Sequence, residues 1–170
     1  MALVKNLKIN WLKLSKLRSP NPDKAELYLQ KTRELLKKGN LKRGLRKINK
    51  AVKNDSENIK YLSVKYLILT RLEKYKKLVD LLEILIQLDF DIVSNYYSKS
   101  KILIRELKRY KKAIEAINEG LQVDPYDRRL IELKFEVLIK MKKFGEALDF
   151  INEIQAQTSN NYDNHHHMYI

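Results

Sequence analysis

The apolar residues of this chain recur in steps of three and four. Leu41, Gly44, Ile48 and Ala51 form one series, and Tyr75, Leu78, Leu82 and Leu85 form the next. Tyr110, Ala113, Ile117 and Gly120 follow, then Phe144, Ala147, Ile151 and Ile154. Such steps put all four positions of a series on one face of an α-helix. A second apolar stripe precedes each series, marked by Leu35, Leu69, Ile104 and Leu138. Each unit therefore reads as a helical hairpin. The opening residues Leu41, Tyr75, Tyr110 and Phe144 are 34, 35 and 34 positions apart. A fixed period in this range marks a repeat array. One hairpin cannot bury its own apolar face, so neighbours must stack. The pattern predicts an all-α chain: an α-solenoid of about four helix-turn-helix hairpins. The single longer step is assigned to an extra residue at Val93, before the third repeat.

The flanks follow different patterns. Over residues 1–18, Leu3, Leu7, Trp11, Leu14 and Leu17 make one stripe, with Lys5, Lys8, Lys13, Lys16 and Arg18 largely around the other side. This is an N-terminal amphipathic helix, with three readings. It caps the first repeat, it anchors at an anionic membrane surface, or it targets an organelle. Pro20 and Pro22 break it. Asp23 then reads as a helix N-cap, with Glu26 completing a capping-box pair. The boundaries are 1–22 for the basic helix and linker, 23–157 for the repeats and 158–170 for a polar tail. Gly39 and Asn40 mark the first hairpin turn. The helix over 78–88 is apolar nearly all round, which predicts a central, buried position. The tail has no period and reads as loose. Its His165, His166 and His167 are adjacent, not at the i, i+4 spacing of a helical metal site. Met168, Tyr169 and Ile170 are placed to cover the end of the fourth repeat. Without such a cover that end is uncapped and offers a route to homo-oligomers.

Over residues 24–157 the hairpins resemble the tetratricopeptide repeat family. The third is the clearest, with Tyr97, Ile104, Tyr110, Ala113, Ile117, Gly120 and Pro125 at the motif positions. The fourth keeps Phe144, Ala147 and Ile151, and the first keeps Tyr28, Gly39, Asn40 and Ala51. Two departures stand out. Where the family places a small residue at the contact between the two helices, this chain has Thr32, Tyr66, Lys101 and Phe135. The second repeat also has Leu78 and Leu85 where alanine is usual, so that hairpin is expected to be splayed or out of register.

The resemblance implies a concave groove lined by the first helix of each hairpin. Its polar members map to Arg33, Lys37, Lys60, Arg71, Asn95, Arg105, Arg129 and Lys140, with Glu26, Glu106, Glu132 and Glu136 opposing them. A groove of that kind suits an extended or helical peptide of acidic character. One branch of the family holds chaperone C-termini through a carboxylate clamp. The clamp positions here carry Leu29, Arg33, Val64, Asn95 and Lys99, so only the last basic position is kept and that activity is not implied.

Composition narrows the classes. With 3 Pro and 4 Gly in 170 residues, long helices and short connections are favoured. There is no cysteine, which excludes disulfides and thiol catalysis and fits a cytoplasmic setting. No run of about 18 apolar residues reads as a membrane span. No glycine-rich phosphate loop, nucleophile–base pair or metal-ligand spacing appears, so the chain reads as non-enzymatic, with no cofactor and no metal.

The net charge of +14 is lopsided: residues 1–77 hold 22 Lys/Arg against 6 Asp/Glu, and residues 78–170 hold 13 against 15. The densest stretch is Lys42, Arg43, Arg46, Lys47, Lys50 and Lys53, with no acid between Glu34 and Asp55. These residues fall on the outward face of their helix, where they can meet phosphates by Coulomb attraction. No aromatic residue is interleaved among them, so base stacking is not indicated. The sequence thus favours a protein–protein scaffold. Its alternatives are a nucleic-acid-associated helical repeat and a membrane-surface adaptor working through residues 1–18.

Overall fold

A computed structural model describes residues 21–166, with side chains through 156. It contains eight helices: α1 (Pro22–Lys37), α2 (Leu41–Asn54), α3 (Ile59–Arg71), α4 (Tyr75–Gln87), α5 (Ile92–Arg105), α6 (Tyr110–Val123), α7 (Arg128–Lys140) and α8 (Phe144–His166). The second helix of each hairpin begins on one of the four periodic residues Leu41, Tyr75, Tyr110 and Phe144. The period is also written into the backbone. Each hairpin turn holds one residue with positive φ: Gly39 at 71°, Glu73 at 52°, Lys108 at 53° and Lys142 at 60°. Three of these turns close alike. The Asn40 N–H donates to the Leu35 carbonyl at 2.8 Å, Lys74 to Leu69 at 3.0 Å and Lys143 to Leu138 at 2.9 Å. These bonds satisfy carbonyls that a helix end leaves open. Only the first turn uses glycine, the residue that adopts this conformation without strain.

The third turn is one residue longer. Helix α5 ends at Arg105, 34 residues after the end of α3 at Arg71. The Arg109 N–H then reaches back six residues, to Leu103 O at 2.8 Å. The extra residue of the 35-residue step therefore lies in turn 106–109, not at Val93. This shifts the third repeat's helix contact by one position. Ser100 is the small, fully buried residue there. Lys101 is only half-buried, with its ammonium 5.6 Å from the Tyr97 ring centre.

Close helix pairing follows the small residues. In the first hairpin Thr32 is buried and its hydroxyl donates to the Tyr28 carbonyl at 2.7 Å. In the third, a methyl added at Gly120 would stand 2.7 Å from Leu130 Cδ1 and 2.8 Å from Tyr96 Cβ. Helices α3 and α4, which carry Tyr66 and Leu78, meet more sparingly, as the expected splaying requires. Helices α7 and α8, with Phe135 in the same place, do so too.

The chain divides into two compact units, Met1–Phe90 and Asp91–Ile170. In the first, α1 to α4 pack in chain order around Leu29, Ile48, Leu62, Ile68, Leu69 and Leu82. In the second, α5 to α8 pack in order around Leu103, Ile104, Ile117, Leu130 and Val137, and α5 also touches α7. Each fully buried side chain of this size stabilises by roughly 1.5–3 kcal/mol. Helix α4 is less enclosed than its sequence suggests. Leu78, Leu81, Leu82 and Leu85 are buried, but Val79, Ile84, Ile86 and Leu88 are partly exposed.

Two terminal features differ from expectation. The N-cap of α1 is Asn21, whose side chain accepts from the Lys24 N–H at 3.0 Å, with Pro22 opening the helix. Asp23 is therefore inside the first turn, and Glu26 is free to act elsewhere. Helix α8 runs on through the polar segment to His166. The reason is local: no glycine or proline follows Gly145 to end it. The amphipathic segment 1–18 and the residues His167, Met168, Tyr169 and Ile170 lie outside the described residues.

The tight approach at Gly120 gives a stability prediction. Gly120→Ala will destabilise by about 1–3 kcal/mol, because overpacking outweighs helix propensity. Gly145→Ala, with nothing within 4 Å of the added methyl, will be neutral or stabilising. Thermal unfolding followed by circular dichroism reads both.

Candidate ligand-binding face

In the first unit, α1 and α3 are tied side by side by one acid. Glu26 accepts from the Lys60 ammonium at 3.0 Å and from the Tyr61 hydroxyl at 3.3 Å. The bond from Lys60 holds the Glu26 carboxyl below its ordinary range. Burial, followed by the nearby Glu26 charge, pushes the Tyr61 phenol up. Glu26 and Lys60 are 34 residues apart, and α1 and α3 run in the same direction because α2 reverses the chain between them. The same offset sets Arg33 beside Leu67 and Lys37 beside Arg71. Residues 26, 33 and 37 share one face of α1, since steps of seven and four return to it. Arg33, Lys37 and Arg71 are exposed, and among the described residues none has a hydrogen-bond or ion-pair partner. Leu67 is 43% exposed between them. This face therefore offers three free cations around one apolar side chain.

The second unit uses its cations internally. Arg105 on α5 bonds Glu136 on α7 at 3.1 Å, and Lys140 approaches the same carboxylate at 3.8 Å. Arg129 bonds Asp127 at 2.7 Å, reaches Ser94 Oγ at 3.4 Å and lies 5.2 Å from the Tyr97 ring centre. Asn95 is buried and already engaged. Asp127 also caps α7, accepting from the Leu130 N–H at 3.0 Å. Burial works to raise its carboxyl, but the bonds from Arg129 and Leu130 prevail and hold it below the usual aspartate range. On the opposite side of α7 from Glu136, Lys134 stands over the Phe150 ring at 4.2 Å, and burial pushes its ammonium down. It lines an open cleft of about 400 Å³ with Leu121, Pro125, Phe150 and Ile154.

The outer basic residues all lie on α2. Lys42, Arg43, Arg46, Lys50 and Lys53 are exposed and Lys47 is half-buried, and none has an acidic partner among the described residues. Their opposite face carries the buried Gly44, Leu45, Ile48 and Ala51. Tyr28, contributed by α1, joins this surface: the ammonium groups of Lys47 and Lys50 lie 6.0 and 5.7 Å from its ring centre. The linear sequence hides this aromatic, because it stands 19 residues before Lys47. Its signal was the repeat itself, which brings the first helix against the second. Among the described residues there is no group of three metal-ligating side chains, and no helix is long and apolar enough to cross a membrane.

No family model matches the chain. It is 32% identical over 105 residues to the stress-induced-phosphoprotein 1 of Caenorhabditis elegans, a stretch covering 62% of this chain and 32% of that protein. The chain thus spans about a third of that relative's length. Among solved structures it is similar to a crystal structure of MamA protein, at 15% identity and a TM-score of 0.61, over 84% of this chain and 77% of that one. It is also similar to the first TPR of Spaghetti (RPAP3) bound to the HSP90 peptide SRMEEVD. There the identity is 14% and the TM-score 0.53, over 72% of this chain and 97% of that one.

Asp127 supplies a pH prediction. Its carboxyl is lowered on folding, so it stabilises above the ordinary aspartate pKa of about 3.9 and loses that contribution as pH falls through its folded value. Asp127→Ala will cost about 1 kcal/mol near neutral pH. The gap between variant and parent will close below about pH 4. Urea unfolding between pH 3 and 7 checks this.

Proposed function

Proceeding from a tetratricopeptide-repeat fold, we propose that this chain is a non-enzymatic interaction module that binds an acidic protein segment across α1 and α3. The observation that carries the reading is the unpaired trio Arg33, Lys37 and Arg71 around exposed Leu67. Three free cations favour carboxylates, and Leu67 favours an apolar side chain among them. The second unit contributes less, because Arg105, Arg129 and Lys140 already meet Glu136 and Asp127. The HSP90 peptide held by one structural neighbour ends in Glu-Glu-Val-Asp, which is the same ligand chemistry. The contacts here must differ from a carboxylate clamp, since Leu29 at a clamp position is fully buried. We place this activity in the cytoplasm.

A fluorescent peptide alternating glutamate and leucine tests the assignment by anisotropy. Reversing Arg33 and Arg71 to glutamate will weaken binding by about 10–100-fold, the worth of one or two charge-assisted hydrogen bonds. Reversing Arg105 will change it little. Equal losses from both variants, or loss from Arg105 alone, would discard the assignment to the first unit.

One observation favours a second reading. Six cations on α2 without an acidic partner present a surface suited to a phosphate backbone. If duplex nucleic acid binds there, log affinity will fall against log salt with a slope of about −4 to −5, for roughly five phosphates neutralised. A salt-insensitive complex, or one unchanged by K42E, R46E and K50E together, removes this reading. The membrane-surface alternative rests on residues 1–18, outside the described residues.

A further inference from the structure

The last hairpin carries an apolar surface that the chain's own repeat logic leaves open. Phe135 and Ile139 on α7 are both 39% exposed, and Phe144 and Leu148 on α8 are both 60% exposed. Each pair is spaced i, i+4, so each makes a stripe on its helix. The stripes flank a three-residue turn, 141–143, on antiparallel helices. By helical phase, Phe135 and Ile139 lie about 140–180° around α7 from buried Leu130. Phe144 and Leu148 lie about 120–160° around α8 from Phe150, which lines the cleft with α6.

The period identifies what this surface is for. Leu148 stands 34 residues after Ile114 on α6. Ile114 packs on the cluster of Leu138, Ala147 and Phe150, which belongs to the hairpin stacked next to it. Leu45, at the same position of the first hairpin, is only 8% exposed. Among the described residues, the position through which one hairpin receives the next is therefore open at Leu148. Its natural occupant is another helical hairpin with an apolar face.

Three considerations select the occupant. Helix α8 continues past Leu148 to His166, about 27 Å along its axis, so the described chain leaves this surface rather than folding over it. The amphipathic segment 1–18 has five Lys/Arg and no acid. It would meet Lys140, Lys142 and Lys143 at the turn beside Ile139 and Phe144, where Glu136 and Glu146 offset two of the three charges and leave Lys142 to disfavour that pairing. A second copy of the same hairpin fits better. Two such hairpins paired antiparallel about a twofold axis bring apolar stripe onto apolar stripe. They also set Lys142 at the turn of one copy near exposed Asp149 of the other, while Lys140, Lys143 and Glu132 keep the ion pairs they make within one copy. The pairing joins near-neutral surfaces, since residues 78–170 hold 13 Lys/Arg against 15 Asp/Glu.

We infer that the α7–α8 hairpin is a self-association surface, through which two copies of this chain pair by Phe135, Ile139, Phe144 and Leu148. The inference is independent of the ligand face on α1 and α3.

Sedimentation velocity of the full chain between about 1 and 100 µM tests it, a range in which a standard-size interface is populated. The expected result is a concentration-dependent dimer. F144E with L148E will weaken it at least tenfold while leaving helical circular dichroism unchanged, because both side chains are solvent-exposed in one copy. Removal of residues 1–18 will leave the dimer intact. A monomer at every concentration overturns the inference, and so does a dimer that survives F144E with L148E. A dimer lost on removing residues 1–18 also overturns it, since the occupant would then be the amphipathic segment.

Discussion

A helical hairpin has two apolar flanks and can cover neither alone, and the whole chain is arranged around that deficit. Helix α6 turns one stripe towards its own partner and a flanking position, Ile114, towards the next hairpin, and Leu45 at the same position of α2 is buried. The approach of the two helices depends on what stands between them. Where the first helix carries buried Thr32 or Ser100, the two helices of the hairpin meet over a longer stretch. Where Tyr66 and Leu78 take these positions, and in the last hairpin, where Phe135 does, the helices meet over a shorter stretch. The fold is thus set less by helix propensity than by the volume of a few contact residues. Ser100 shows the cost of such closeness. Its hydroxyl is buried without a hydrogen-bond partner, which costs stability, whereas the Thr32 hydroxyl at the same place of the first hairpin donates to the Tyr28 carbonyl.

The same stacking decides the electrostatics of the ligand face. A 34-residue offset places equivalent residues of neighbouring first helices side by side, so an acid on one helix meets a base on the next. Glu26 with Lys60 is of this kind, while Glu136 meets Arg105 across the two first helices at a separation of 31 residues. Exposed ion pairs of this sort add little stability, about 0–1 kcal/mol each. Their larger effect is on recognition. A cation already holding a carboxylate has to release it before binding another, so the internal pairs withdraw Lys60 and Arg105 from the proposed ligand face. What remains open is the set with no hydrogen bond or ion pair among the described residues, namely Arg33, Lys37 and Arg71, although the Arg33 charge is felt by Glu26.

Much of this was legible in the chain before any coordinates. The hairpins, their order and the residues that open the second helices follow from apolar spacing, because stacking enforces that spacing. The one-residue irregularity was visible as a 35-residue step, but its location was not. Inserted before α5 or in the turn after it, an extra residue gives nearly the same apolar pattern. Only the Arg109 to Leu103 hydrogen bond separates the two. The α1 cap was misplaced because Asn21 and Asp23 are both good capping residues, and Pro22 at the first helical position decides between them. The extent of α8 is not legible from polarity, because helices end at glycine, proline or a cap rather than at polar residues. The candidate groove residues follow from the repeat register as a set of positions. Which of them are free does not, since pairing depends on cross-helix contacts that one sequence does not display.

The central claim is that an acidic segment is held on the first unit by cations the fold leaves unpaired. Backbone amide shift mapping by NMR tests it most directly, titrating a glutamate- and leucine-rich peptide into labelled full-length chain. The account predicts shifts concentrated on α1 and α3, around Arg33, Lys37, Leu67 and Arg71, with the amides around Arg105 and Glu136 little moved. Shifts confined to α2, or centred on α5 and α7, would contradict it.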